Sequence, residues 1–150
     1  MKENIFWYLL IIKNSNVITG SNLYQLFQII FKNLPVKNVG LDDVEGVNNL
    51  GLIVIKEMTY QDQNEFLNFL QSIKHLEWAD FFLLSDRKTL EDKKKSYPSL
   101  IKQTLTTVRI VDNTDTYVYT PLLSLVEEIR KNYSDIEMKR SNLEDLDYPF

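Results

Sequence analysis

The sequence predicts a single α/β domain, with α+β as the open alternative, built on a mixed β-sheet of about five strands and three main helices. Apolar runs alternate with segments of helical periodicity in the order β-α-β-α-β-(insert)-β-β-α. A length of 150 residues is typical of one domain, and a hydrophobic fraction of 44% is sufficient for a core. We therefore expect one globular unit over 1–140 and an acidic C-terminal tail over 141–150, whose flexibility is left open.

The first third of the chain predicts a buried strand, a helix and a second strand. An apolar run of eight residues predicts the first strand at 5–13. The helix that follows has Ser21 as its expected N-cap and Pro35 just beyond its end. Its apolar stripe consists of Leu23, Leu26, Phe27, Ile30, Phe31 and Leu34. The polar segment 38–50 predicts a loop, and the apolar run 52–55 predicts a short strand.

A second helix and a third strand are predicted in the middle of the chain. The helix is expected to start at Thr59, with Asp62 three residues later as in a capping box. The apolar run 79–84 predicts the third strand, and a long polar connection follows at 86–104. If each helical crossover joins neighbouring strands, the first three strands are parallel.

The last third predicts a β-hairpin and a third helix. Alternating residues at 108–111 and 116–119 flank an Asp- and Asn-rich turn, which is typical of a hairpin. Thr120 followed by Pro121 is the usual start of a helix, with threonine as N-cap and proline at the first helical position. After Ser134 the periodicity is lost.

Residue types that are missing exclude several kinds of catalytic and cofactor site. The chain has no cysteine and a single histidine, so thiolate metal sites, cysteine nucleophiles and most histidine-based zinc sites are excluded. His75 is expected at the C-terminal end of the second helix, where the helix dipole favours a cation and a capping role is sufficient. Four glycines cannot supply either standard phosphate-binding loop. We therefore predict no catalytic residue, no cofactor and no metal.

The longest apolar run is too short to cross a membrane. It covers eight residues, 5–12, where a spanning helix needs about 20. No small-x-small cleavage site follows it, so the run does not predict a signal peptide. We therefore expect a cytoplasmic protein that does not enter a membrane.

Acidic residues are concentrated in one part of the sequence. Segment 38–65 carries six acidic residues against Lys56, a local charge of −5. The predicted contact residues of this acidic loop region are Asp42, Asp43, Glu45, Asp62 and Glu65. Such carboxylates can occupy a cationic groove on another protein, and the opposite charge speeds the encounter. An alternative is a small Mg²⁺-dependent enzyme that uses the loop carboxylates, although no EF-hand spacing is present.

A basic segment follows at 87–102, with a local charge of +4. Its cations are Arg87, Lys88, Lys93, Lys94, Lys95 and Lys102. They give a second alternative, a nucleic-acid accessory protein, with Tyr97 available to stack on a base. The pI near 5.0 argues against a dedicated nucleic-acid binder.

These exclusions favour a small protein-binding module. The most concrete hypothesis is a bacterial immunity-type protein that neutralises a cationic toxin domain, for example a nuclease, by covering its active site. Tyr117 and Tyr119, on one face of the predicted hairpin, are further contact candidates because tyrosines often anchor interfaces. The oligomeric state is not predicted.

Overall fold

One antiparallel sheet of seven strands organises the residues that the computed structural model describes, which are 6–14, 16–86, 90 and 96–149. The strands are β1 (Trp7–Lys13), β2 (Asn38–Asn48), β3 (Gly51–Tyr60), β4 (Ile73–Leu84), β5 (Thr106–Val111), β6 (Asp115–Thr120) and β7 (Ile136–Ser141). In space their order is β3-β2-β4-β5-β6-β1-β7, and each neighbouring pair is antiparallel. Together with four α-helices in the described ranges, the sheet makes a single α+β domain.

The two faces of the sheet are covered by different elements. The helix face carries α1 (Gly20–Asn33), α2 (Gln63–Gln71) and α4 (Leu123–Asn132). The opposite, outer face carries α3 (Tyr97–Ile101) and a short 3₁₀ helix (Leu143–Asp145). Within the described ranges, no helix combines the length and the apolar composition that spanning a membrane requires.

The helix face holds the larger core. The ring of Phe27, on α1, lies edge-on to Phe66 of α2 and Phe81 of β4, with centroids 4.9 and 5.3 Å apart. All three side chains are fully buried. Burial of a side chain of this size contributes about 2–3 kcal/mol, so this aromatic cluster fixes α1 and α2 on the sheet.

A smaller apolar cluster covers only part of the outer face. It joins Trp7 of β1 and Tyr119 of β6 to the C-terminal segment 143–148. The Tyr148 ring stacks on Tyr119 at 5.3 Å, and the Tyr119 hydroxyl donates a hydrogen bond to the Asp147 carbonyl oxygen at 2.5 Å. Farther along the outer face, Asp43 and Glu45 of β2 and Leu52 and Val54 of β3 are exposed.

The predicted parallel arrangement is wrong, because neither crossover joins neighbouring strands. β1 lies between β6 and β7, whereas β2 lies between β3 and β4. Between β1 and β2 the chain therefore passes three strands, β6, β5 and β4, and β1 and β2 run in the same direction without being neighbours. Five strands were expected and seven are present in the described residues; the two additional ones are β2 and β7.

The predicted loop at 38–50 is wrong, because most of this segment forms the strand β2. β2 pairs with β3 on one side and with β4 on the other. Its inward-facing residues are Val39, Leu41 and Val44, all buried. Asp43 has a φ of 50° and interrupts the alternation, so Leu41 and Val44 both face the helices with two residues between them. Such a bulge breaks the period of two that identifies a strand in a sequence.

The ends of the helices differ from the predicted caps. α1 begins after Thr19, rather than Ser21, and the Thr19 hydroxyl accepts a hydrogen bond from the Asn22 amide at 3.2 Å. Asp62 is itself the N-cap of α2, whose predicted start at Thr59 still belongs to β3. Capping by these side chains satisfies amides that the first helical turn leaves unpaired.

Two further predictions were wrong near element ends. His75 lies in β4, not at the end of a helix, because α2 stops at Gln71 and the strand starts at Ile73. The third predicted helix does not have Thr120 as its N-cap and Pro121 as its first residue, because α4 begins at Leu123 with Leu122 as the N-cap. The Thr120 hydroxyl instead accepts a hydrogen bond from the Leu122 amide at 3.2 Å, before the helix begins.

The predicted hairpin is confirmed as β5 and β6, paired from Thr107 opposite Tyr119 to Val111 opposite Asp115.

Candidate functional site: an acidic surface on the outer face

Three of the predicted contact residues lie together on the outer face of β2. Asp42 pairs across the sheet with Asp80 of β4, and Glu45 pairs with Trp78 of the same strand. The bulge at Asp43 brings this residue to the same side, where it lines a shallow depression with Glu45 and Asp80. We call Asp42, Asp43 and Glu45 the acidic surface.

Apolar side chains adjoin the acidic surface. Val54 of β3 lies directly opposite Glu45 and is 70% exposed, and Leu52 is 85% exposed. On the other side of Glu45, the indole of Trp78 is partly buried. One row across β3, β2 and β4 therefore presents Val54, Glu45 and Trp78 to solvent. Exposed apolar side chains in a row beside charged ones are typical of a protein contact surface.

A buried ion pair lies at the floor of the depression. Asp80 and Arg109 are directly opposite each other on β4 and β5, and the Arg109 Nε is 3.1 Å from the Asp80 Oδ1. The Tyr97 hydroxyl donates a hydrogen bond to the same carboxylate oxygen at 2.7 Å. The Arg109 guanidinium also lies over the Tyr97 ring, 4.4 Å from its centroid, an arrangement that is favourable for a cation. These contacts hold β4, β5 and α3 together beside the acidic surface.

Burial dominates the ionisation of Asp80. It raises the pKa of this carboxyl from 3.8 to about 6, while the Arg109 charge and the Tyr97 hydrogen bond act in the opposite direction. The nearby charges of Asp42 and Asp43 raise the pKa of Asp80 further. Burial and the Asp80 carboxylate raise the pKa of Tyr97 well above its ordinary value. The phenol therefore stays protonated and acts as a donor.

The arrangement favours a cationic ligand over an anionic one. The depression measures about 370 Å³ and is lined by Asp43, Glu45, Trp78, Ala79, Asp80 and Arg109. Among the described residues that line the depression, the Arg109 charge is paired with Asp80, so the exposed carboxylates of Asp43 and Glu45 make the local field negative. Among the residues that the structure describes, no group of three or more His, Asp or Glu side chains is arranged to hold a metal ion.

The other two predicted carboxylates lie elsewhere. Asp62 accepts hydrogen bonds from the Asn64 and Glu65 amides at 2.7 and 3.1 Å, so its role is to cap α2. Glu65 lies in the first turn of the same helix. α2 packs on the helix face, whereas the acidic surface is on the outer face, and the two groups do not form one site.

The hairpin tyrosines belong mainly to the outer-face cluster. Tyr119 is fully buried and hydrogen-bonded to the C-terminal segment. Burial also raises the pKa of its hydroxyl far above the ordinary value. Tyr117 is partly buried beside it, with ring centroids 6.4 Å apart. Tyr119 is thus a core residue, and a partner could reach only Tyr117 without displacing the tail.

Most of the basic segment lies outside the described residues. This holds for Arg87, Lys88, Lys93, Lys94 and Lys95. Lys102 is exposed and is the C-cap residue of α3. Tyr97, which was considered for base stacking, instead packs against Arg109 and Tyr148.

Three residues of the site were missed in the sequence: Trp78, Asp80 and Arg109. A signal was present for two of them. Asp80 is the single charged residue of the apolar run 79–84, and Arg109, of opposite charge, is the single charged residue of the predicted strand 108–111. A charge inside a buried strand requires a partner, which predicts that the two residues meet.

Comparison of the chain with models of known protein families, with curated proteins and with solved structures finds no match.

Proposed function

We propose that this protein is a binding module of the bacterial immunity type, which neutralises a cationic toxin domain by covering its active site with the acidic surface. The observation that carries this proposal is the row formed by Val54, Glu45 and Trp78, next to Asp42 and Asp43. This row brings apolar contact area and carboxylate side chains together on the outer face. The proposal places the protein in the cytoplasm, together with the toxin that it would inhibit.

The two kinds of side chain have different roles in such a complex. Carboxylates attract a cationic surface over distances of about 10 Å and raise the association rate, most strongly at low salt. Apolar side chains such as Val54, Leu52 and Trp78 lose solvent contact only on docking, and they therefore slow dissociation. A nuclease is the best example of the partner, because a site that binds phosphates is cationic and a row of carboxylates can occupy it.

The test uses matched charge variants. The full chain is used to capture its partner from lysate of the native host at low salt, and binding of the captured protein is then measured by surface plasmon resonance. The surface variant Asp42→Asn/Asp43→Asn/Glu45→Gln is compared with the control Glu65→Gln/Glu127→Gln/Asp135→Asn. Both remove three exposed or partly exposed carboxylates and change the formal charge from −4 to −1.

We expect the surface variant to lower the association rate about tenfold at low salt, with a weaker salt dependence. The control variant should retain the association rate and its salt dependence. Its substitutions lie away from the acidic surface, on α2, on α4 and just after α4. Equal losses in the two variants would show that only net charge matters. The absence of any captured protein at low salt would contradict the proposal as a whole.

A further inference from the structure

The two edges of the sheet differ in how open they are to another strand. β7, of six residues, carries the charged side chains of Glu137, Lys139 and Arg140. β3, of ten residues, has only Lys56 and Glu57 as charged side chains. Long edge strands with few charges are rare, because they can pair with a further strand. Within the described part of the chain no strand pairs with the outer edge of β3.

The middle of β3 has an irregularity that defines what can pair with it. Ile55 packs against the helix-face core, and Met58 lies opposite the buried Leu41, so both are on the helix face. Two residues, Lys56 and Glu57, lie between them, where a regular strand would have one. Val54 and Thr59, opposite Glu45 and Gly40, are both on the outer face. If a regular strand paired with β3, its side chains would therefore point to the same faces as those of β3 along only one half of the strand.

We propose that the partner at this edge is the β3 strand of a second copy of this chain, paired antiparallel about a two-fold axis between Lys56 and Glu57. In this register Lys56 lies opposite Glu57 of the second copy, and Val54 lies opposite Thr59. Ile55 lies opposite Met58, whose side chain is 40% exposed in the single chain. The irregular residues of the two copies then lie opposite each other. Each of the flanking pairs therefore joins residues of the same face.

Symmetry and charge both favour this occupant. The two-fold axis duplicates the Lys56–Glu57 contact, so that two opposite-charge pairs form in one interface. Pairing of β3 with β7 of another copy would leave one free edge at each end and would continue into a filament. A β3–β3 pair instead closes as a dimer and places the two acidic surfaces side by side. The inference does not depend on the proposed toxin partner.

A charge-swap cycle on the full chain tests the register. We expect sedimentation equilibrium to give a concentration-dependent mass that approaches twice 17.7 kDa. Lys56→Glu alone and Glu57→Lys alone each place like charges opposite each other twice, and each should raise the dimer dissociation constant about tenfold. The double variant Lys56→Glu/Glu57→Lys should restore it. Lys74→Glu, at an exposed position of β4, is the matched control for the first charge change.

Disulfide trapping gives an independent result, since the chain has no cysteine of its own. Directly opposite residues of an antiparallel pair are close enough for a disulfide bond. Val54→Cys/Thr59→Cys should therefore form a covalent dimer on mild oxidation, whereas Val54→Cys alone should not. A wild-type chain that stays monomeric at all concentrations would overturn the proposal and leave this edge to another protein. Faster trapping of Val54→Cys alone would overturn the register.

Discussion

Burial of the Asp80 carboxyl makes the stability of the protein depend on pH in an unusual direction. In the folded chain, burial raises the pKa of Asp80 to about 6, and in the unfolded chain this carboxyl titrates near 3.8. Between these two values the folded state binds the proton more tightly. Stability from this group is therefore fully present below about pH 4 and is lost as the pH rises through about 6.

The size of the effect follows from the same two values. They differ by about two pKa units, and each unit corresponds to about 1.4 kcal/mol. Asp80 should therefore contribute about 3 kcal/mol to the free energy of unfolding at low pH that is absent at neutral pH. Since Asp80 is only 7% exposed, screening by solvent reduces this figure little.

The perturbation is Asp80→Asn, which keeps the shape of the side chain and removes its titration. Urea unfolding gives the free energy of unfolding of the wild type and of the variant at several pH values between about 4 and 7. In the difference between the two proteins, most of the contribution of the other carboxylates cancels. Relative to the variant, the wild type should lose about 3 kcal/mol over this range. Parallel stability curves for the two proteins would refute the reasoning.

A second measurement covers the case in which the buried Arg109 prevents Asp80→Asn from folding. Carbon-13 NMR of the Asp80 carboxyl in the wild type gives its pKa directly. In Tyr97→Phe, the loss of the hydrogen bond to Asp80 should raise this pKa above its wild-type value, because the phenol stabilises the ionised form. A wild-type pKa near 4 would show that burial does not dominate.

Three further substitutions should lower the free energy of unfolding, as measured by urea denaturation at neutral pH. Asp62→Ala removes the cap of α2 and should cost about 1 kcal/mol; no loss would show that water replaces the carboxylate. Phe27→Ala leaves a cavity among aromatic rings and should cost about 3–5 kcal/mol, more than the exposed control Leu52→Ala. Gly20→Ala should destabilise by about 2 kcal/mol or more, since its Cβ would overlap the Leu70 and Ile73 carbonyl oxygens; an unchanged midpoint would mean that α2 shifts freely.

Apolar periodicity predicted the elements with a buried stripe or a doubly buried run. α1, β1 and the β5–β6 hairpin belong to this group. The β2 strand was missed because its outer face is solvated and because the bulge at Asp43 shifts the alternation by one residue. The β7 strand was missed for another reason: all its residues are at least partly exposed, and its only apolar ones, Ile136 and Met138, give too short an alternation to identify a strand.

The candidate site was predictable only where its residues are adjacent in the sequence. Asp42, Asp43 and Glu45 were found because they form a local charge cluster. Trp78 and Arg109 lie about 30 and 65 residues further along the chain, and only the order of the strands brings them to the same face. That order depends on long-range pairing, which local propensity does not determine.

The position of β1 determines when this chain can complete its fold. β1 is the first strand to be synthesised, yet both of its neighbours, β6 and β7, belong to the last third of the chain. Until residue 120 has left the ribosome, the apolar segment at 7–12 has neither hydrogen-bonding partner in place, and its second partner, β7, is complete only at residue 141. A nascent chain therefore exposes an aggregation-prone strand while more than 100 further residues are synthesised, and the sheet is complete only once β7 has been added.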